Sequence, residues 1–151
     1  MISNDRCEIV TEVTYFCAEV AEAGVAVCRG ATAGTGSALD QGVNIATVVA
    51  SPTSSNRPLG ILLNDVVGTD LSKTHINWYK DEVPVGGKIT ILRQGWVLTN
   101  KIIGSPVAGD TAYVGAAGSF ANSGDPALKI GEFGSAKDSA GYAKVEVNLP
   151  N

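Results

Sequence analysis

The run Lys88 to Ile103, KITILRQGWVLTNKII, decides what this chain is. Ile89 and Ile91 alternate with Lys88 and Thr90, the period-two pattern of a strand with one apolar face. The run breaks at Arg93-Gln94-Gly95, and Gly95 suits the left-handed position of a three-residue hairpin loop. Trp96 then opens a return strand. The spacing predicts a β-hairpin. A second run, YAKVEVNL at residues 142 to 149, is stricter. Tyr142, Lys144 and Glu146 face one way, while Ala143, Val145, Val147 and Leu149 face the other, so one face meets a core and one meets water.

Outward from these runs, the same grammar repeats. Val43 to Ala50, Leu59 to Val67 (LGILLNDVV), Thr111 to Ala116 and Leu128 to Phe133 read as short strands. Between them lie runs of turn formers: 30 to 42, 51 to 58, 105 to 110 and 118 to 126. The chain has 18 glycines in 151 residues, well above the roughly 7% average share. Strands at intervals of about ten residues with turn chemistry between them predict an all-β fold, one small barrel-like or sandwich-like domain. Ala18 to Ala23 stays ambiguous, fitting a turn of helix closed by Gly24 as well as an approach to a strand at Val25 to Cys28.

The first sixteen residues contain no glycine or proline. CEIVTEVTYF, residues 7 to 16, mixes β-branched and aromatic residues with single charges and reads as an extended strand. Its apolar residues fall on both faces, Val10 and Phe16 on one, Ile9, Val13 and Tyr15 on the other. The expected organisation is an extended arm over residues 1–16 and a single β-domain over 17–151. An arm with two apolar faces lies either on its own domain or on a neighbour's.

Charge narrows the partners. Eleven Lys and Arg against 15 Asp and Glu give a net charge of −4, and the isoelectric point is near 4.9. Such a surface releases no counterions from a phosphate backbone, so nucleic acid is not an expected partner. No apolar stretch approaches the ~20 residues of a membrane helix, so no membrane partner is expected. The start shows no basic segment followed by an apolar one, the pattern of a secretion signal.

Catalytic groups are scarce. The single histidine, His75, sits in THINWYK beside aromatics, where a packed or surface role outweighs a catalytic one. No G-x-S-x-G elbow occurs, since GSALD at 36, GSPVA at 104 and GSAKD at 134 all lack the closing glycine. Gly34 and Gly36 lack the third glycine of a dinucleotide loop, and Gly87-Lys88 is followed by isoleucine rather than Ser or Thr. Asp65 with Asp70, and Asp81 with Glu82, have no calcium-loop spacing and read as solvated turn residues. Cys7, Cys17 and Cys28 match no zinc spacing and no disulfide framework, and read as small hydrophobes in a reducing compartment. Trp78, Tyr79 and Trp96 would stack on sugars or anchor a partner, although packing in a core or interface is the commoner use. No enzyme, cofactor or metal is expected.

The order of PLGILLNDV (58–66), VGGK (85–88), GWVLTN (95–100), GDTAY (109–113), IGEF (130–133) and GYAKV (141–145) resembles the head decoration, or capsid cement, proteins of tailed bacteriophages. The likeness covers residues 58 to 148 and is loose before residue 58. It implies a structural protein on the outer surface of the assembled head, clamping neighbouring major capsid protein subunits against DNA pressure. It further implies a homo-oligomer, a trimer first among dimers and monomers, assembled in the host bacterial cytoplasm and resident on the virion. The residues expected at partner contacts are Ile9, Val10, Val13, Tyr15 and Phe16 of the arm, with His75, Trp78 and Tyr79. The alternative is a head-fibre or tail-surface module binding carbohydrate or a receptor.

Overall fold

The structure, a computed structural model, describes residues 2–30, 44–63, 82–83 and 85–150. In chain order its strands are β1 (Ile2–Glu12), β2 (Phe16–Cys17), β3 (Ala21–Glu22), β4 (Ala26–Arg29), β5 (Ile45–Thr47), β6 (Pro58–Leu63), β7 (Glu82–Val83), β8 (Thr90–Thr99), β9 (Ile102–Ile103), β10 (Thr111–Val114), β11 (Phe120–Ala121), β12 (Lys129–Phe133) and β13 (Ala143–Asn148). Two short 3-10 turns, at Ala116–Gly118 and Pro126–Leu128, are the helical elements among the described residues. The chain is all-β, as its composition requires.

The expected hairpin does not form. Residues 90 to 99 make one continuous strand, and Arg93-Gln94-Gly95 lies in its middle. Gly95 does take a backbone conformation that side chains avoid, φ +138°. Its purpose is proximity rather than a turn: a Cβ here would stand 2.1 Å from the carbonyl oxygen of Cys7 on β1. A glycine that lets another backbone pass and a glycine that turns a hairpin look alike in sequence, because both need the missing Cβ.

β8 is the spine of the sheet. One edge pairs with β1, antiparallel, from Ile2 opposite Thr99 to Glu12 opposite Ile91. The other edge is shared end to end. β6 takes it from Thr90 to Leu92, and β13 takes it from Gln94 to Thr99. The handover falls at Arg93, whose carbonyl accepts from Leu149 N at 3.0 Å and whose guanidinium donates to the Pro150 carbonyl at 2.7 Å. The path through the sheet is β2-β5-β4-β6-β8-β13-β12-β10-β11-β9, and β3 pairs separately with β7. No described ladder joins β2 to β9, so the sheet is open at its ends.

Two clusters of buried side chains lie on opposite sides of β4, β6 and the start of β8. Ala26, Cys28, Ile61, Leu63 and Leu92 join the larger one, which reaches Phe120, Ile130, Phe133 and Val145. Val25, Val27, Leu62, Ile89 and Ile91 join the smaller. In β6 the alternation slips at Gly60, φ +149°, where Val27 pairs with Gly60 and Cys28 with Pro58, leaving Leu59 as an extra residue. That bulge turns Leu59 and Leu62 to the same cluster although their spacing is odd.

Other expectations resolve as follows. The ambiguous segment contains β3 and a turn at Gly24 (φ +88°), with no helix. The strand expected over Val43 to Ala50 is the shorter β5, and the one from Leu59 ends as β6 at Leu63, its remainder lying outside the described residues. β10 and β12 stand where expected. β13 alternates buried and open positions as its sequence demands.

Candidate functional site

β1 differs from every other long strand. No side chain from Asp5 to Glu12 is buried. Ile9 is 70% exposed, and Val13 just beyond the strand is 47% exposed. The strand is held by its backbone ladder to β8, and among the described residues no other strand pairs with its outer edge. Its register is regular from Arg6 to Glu8 and shifts on either side, with Ile9 on β1 and Arg93 on β8 each left as an extra residue. An edge strand of this length is an open template for a further strand unless charge or shape blunts it.

Charge decorates the strand without closing the edge. Arg6 Nε pairs with Glu8 Oε1 at 2.5 Å on one face. Glu12 accepts from the Thr14 hydroxyl at 2.7 Å and the Thr14 N–H at 3.0 Å. Those bonds hold its carboxyl below the usual carboxylate range.

The structure separates the five expected contact residues of the arm. Ile9 and Val13 point to solvent, and Val10 is half-buried opposite Gln94. Tyr15 leans on the smaller core cluster, and its carbonyl accepts from Ile89 N at 3.0 Å. Phe16 is woven into the sheet, opposite Ile45 and bridged to Lys88. His75, Trp78 and Tyr79 lie outside the described residues, as do the glycines at 34 and 36 and the carboxylates Asp65, Asp70 and Asp81.

The chain on either side of β3 runs antiparallel to residues 82–83 and 85–89. Cys17 N donates to Gly87 O at 2.9 Å, and Gly86 N donates to Cys17 O at 2.8 Å. This ribbon presents Val20, 60% exposed, and Val85, 64% exposed. Sequence reasoning missed both. Single valines among turn residues carry no periodic signal, and only their place on a short ribbon marks them.

Chemistry is sparse here too. Among the described residues no three His, Cys, Asp or Glu side chains gather as metal ligands, and no helix is long and apolar enough to cross a membrane. A solvent-open groove along β12 and β13, lined by Lys129, Glu132, Glu146 and Asn148, pairs no nucleophile with a base. Cys17 and Cys28 are buried free thiols and Cys7 is an exposed one. Burial pushes the Cys28 thiol up to about 11 and raises Cys17 as well. On the outer face of β8, the Lys144 ammonium sits 4.7 Å from the Trp96 ring centroid. It covers one face of that ring.

A family model described as the structural cement protein of phage (E217 gp24/Pam3 gp6) matches residues 2–148. The chain belongs to that family. The match takes in β1 and the residues before 58, where the likeness of sequence motifs is loose. No curated protein sequence matches the chain. The cement protein is therefore a structural component of the phage virion, and its partners are capsid proteins.

Proposed function

We propose that this cement protein binds the outer surface of the assembled head and clamps neighbouring major capsid protein subunits, without catalysis. β1 carries the proposal, because an eleven-residue strand with no buried side chain from Asp5 onward contributes little to its own core. Exposed Ile9 and Val13, and separately Val20 and Val85, supply apolar area for a partner to cover. Val10, Tyr15 and Phe16 set the arm's position, and His75, Trp78 and Tyr79 complete the proposed contact. The chain acts as a homo-oligomer, with a trimer first. Joined subunits that each touch the shell weakly hold it strongly, because every contact after the first is intramolecular. Assembly takes place in the bacterial cytoplasm, consistent with three free thiols.

The test is addition of purified protein to DNA-filled heads that lack it, followed by density-gradient sedimentation and copy counting by mass spectrometry. The expected result is co-sedimentation in proportion to the major capsid protein. Ile9→Asp/Val13→Asp, which alters solvent-facing positions only, should leave folding intact and remove most bound copies. Unchanged binding by this variant would remove the arm from the contact. A few copies per particle would instead indicate a tail or fibre module.

A further inference from the structure

The chain from Ile2 to Cys17 lies along one edge of residues 86–99, and the two halves of that run are held differently. The first half is β1, whose side chains from Asp5 to Glu12 are not buried. Its ladder with β8 shifts register at three places. The second half is anchored. Tyr15 packs on the smaller core and its carbonyl accepts from Ile89 N at 3.0 Å, Phe16 is bridged to Lys88, and Cys17 is buried. Between the halves, residues 13–15 stand against 89 and 90 alone. Thr14 turns its N–H to the Glu12 carboxylate at 3.0 Å, and both Val13 and Thr14 are exposed. A strand held without buried side chains, next to an exposed break in its ladder, opens before the elements that share a core.

We propose that β1 is an exchangeable strand: it leaves its own β8 at Val13 and Thr14 and pairs, in the same register, with β8 of a second copy. A second copy is the fitting partner because it offers every group that β1 already uses. Its Gly95 clears the Cys7 carbonyl, which a Cβ would approach to 2.1 Å. Contacts that Asp5 and Arg6 make elsewhere in the chain are kept as well. A strand of another sequence would have to match the same bulges and the same glycine. Exchange between identical chains costs no contact, so the hinge and the spacing of the copies decide it.

Two extended hinge residues reach only ~7 Å, so the copies must abut beside β8. Each arm that moves on vacates a β8, which the arm of another copy fills. A pair or a ring of copies therefore closes with every β8 occupied. The exchange rests on the fold alone; under the cementing role proposed above, it supplies the join between copies.

Disulfide pairing between two distinguishable chains tests this on head-free protein. The unaltered chain, with Cys7 as its exposed thiol, is mixed at high concentration with Cys7→Ser/Trp96→Cys. Positions 7 and 96 are direct partners, and such partners stand about 4.5–5.5 Å apart, within disulfide reach. Neither chain carries both thiols, so only an exchanged strand sets them side by side in a ladder. After mild oxidation with diamide, non-reducing electrophoresis and peptide mass mapping should show a mixed dimer joined from position 7 to position 96. Its yield should exceed by about tenfold or more that with Cys7→Ser/Asn148→Cys, whose exposed thiol lies on β13, two strands from β1, and links by collision alone. Val10→Cys and Gln94→Cys, each on a Cys7→Ser chain, repeat the test at a second rung with Trp96 intact. No mixed dimer at either rung, or a yield equal to that of position 148, would overturn the exchange. Head binding is read separately by sedimentation, so either proposal can fail alone.

Discussion

β1 and β13 flank the same residues of β8 from opposite sides, and they are held by different forces. β13 sends Ala143, Val145 and Val147 into the larger core and shows Glu146 and Asn148 to water. β1 sends nothing into either core from Asp5 to Glu12. The first is fastened by side chains, the second by its backbone ladder. Backbone bonds contribute only ~1 kcal/mol each once exchanged against water, whereas each buried aliphatic side chain contributes about 1.5–3. The sheet thus has one flank fastened by burial and one fastened by its backbone, and the second is the flank proposed above for contact.

The sharpest break of this contrast is Phe133→Ala on β12. Phe133 is fully buried and pairs with Val145 of β13. Its truncation should cost about 3–5 kcal/mol in urea unfolding. Ile9→Ala on β1 should stay within about 0.5 kcal/mol. Comparable losses from the two would erase the distinction.

Gly95→Val comes next. It combines a forbidden backbone conformation with a Cβ driven onto the Cys7 carbonyl, a strain of about 1–3 kcal/mol. The predicted signature is local. Hydrogen exchange should accelerate at Arg6 to Glu8 and stay slow in β13, and equal acceleration in both would refute the placement of that strain.

The three thiols then report on three depths of the molecule. Iodoacetamide at about pH 8 should label Cys7 in the folded protein and spare Cys17 and Cys28. With the Cys28 thiol at about 11, against an ordinary 9.0, its thiolate is about a hundredfold scarcer than usual, before steric protection is counted. Peptide mass mapping reads the order, and early labelling of Cys28 would contradict its burial.

The smallest effect belongs to the Lys101–Glu22 pair, 2.6 Å apart, which ties β3 to the chain just after β8. The hydrogen bond and charge of Lys101 hold the Glu22 carboxyl below its ordinary value. A depressed carboxyl contributes stability above its unfolded range and loses it as the pH falls through the folded value. Both side chains are substantially exposed, so Lys101→Met should cost no more than about 0.5 kcal/mol near neutrality. That difference should vanish on acidification, as followed by thermal melting.

Legibility in the sequence follows the same divide. β13 was readable because one face is wet, and wetness is what makes alternation visible. β10 and β12 kept enough of it to be found. β4 and β6 are buried on both faces, and the bulge at Gly60 shifts the phase, so their sequences read as apolar without a direction. The hairpin at Gly95 was misread because the cause of that glycine, the Cys7 backbone, lies at the other end of the chain. Of the proposed contact surface, Ile9 and Val13 stood out as apolar residues in a charged segment. Their separation from Tyr15 and Phe16 came from the β2 pairings, which no local pattern encodes.

The ladder between β1 and β8 also has a mechanical meaning. It runs from Ile2 opposite Thr99 to Glu12 opposite Ile91, nearly the whole of both strands. A pull on the arm along its own axis loads these rungs in shear, all together. A pull outward from the sheet opens them one at a time, like a zip. The same hydrogen bonds therefore make a stiff tether in one direction and a release in another, set only by the angle of the force.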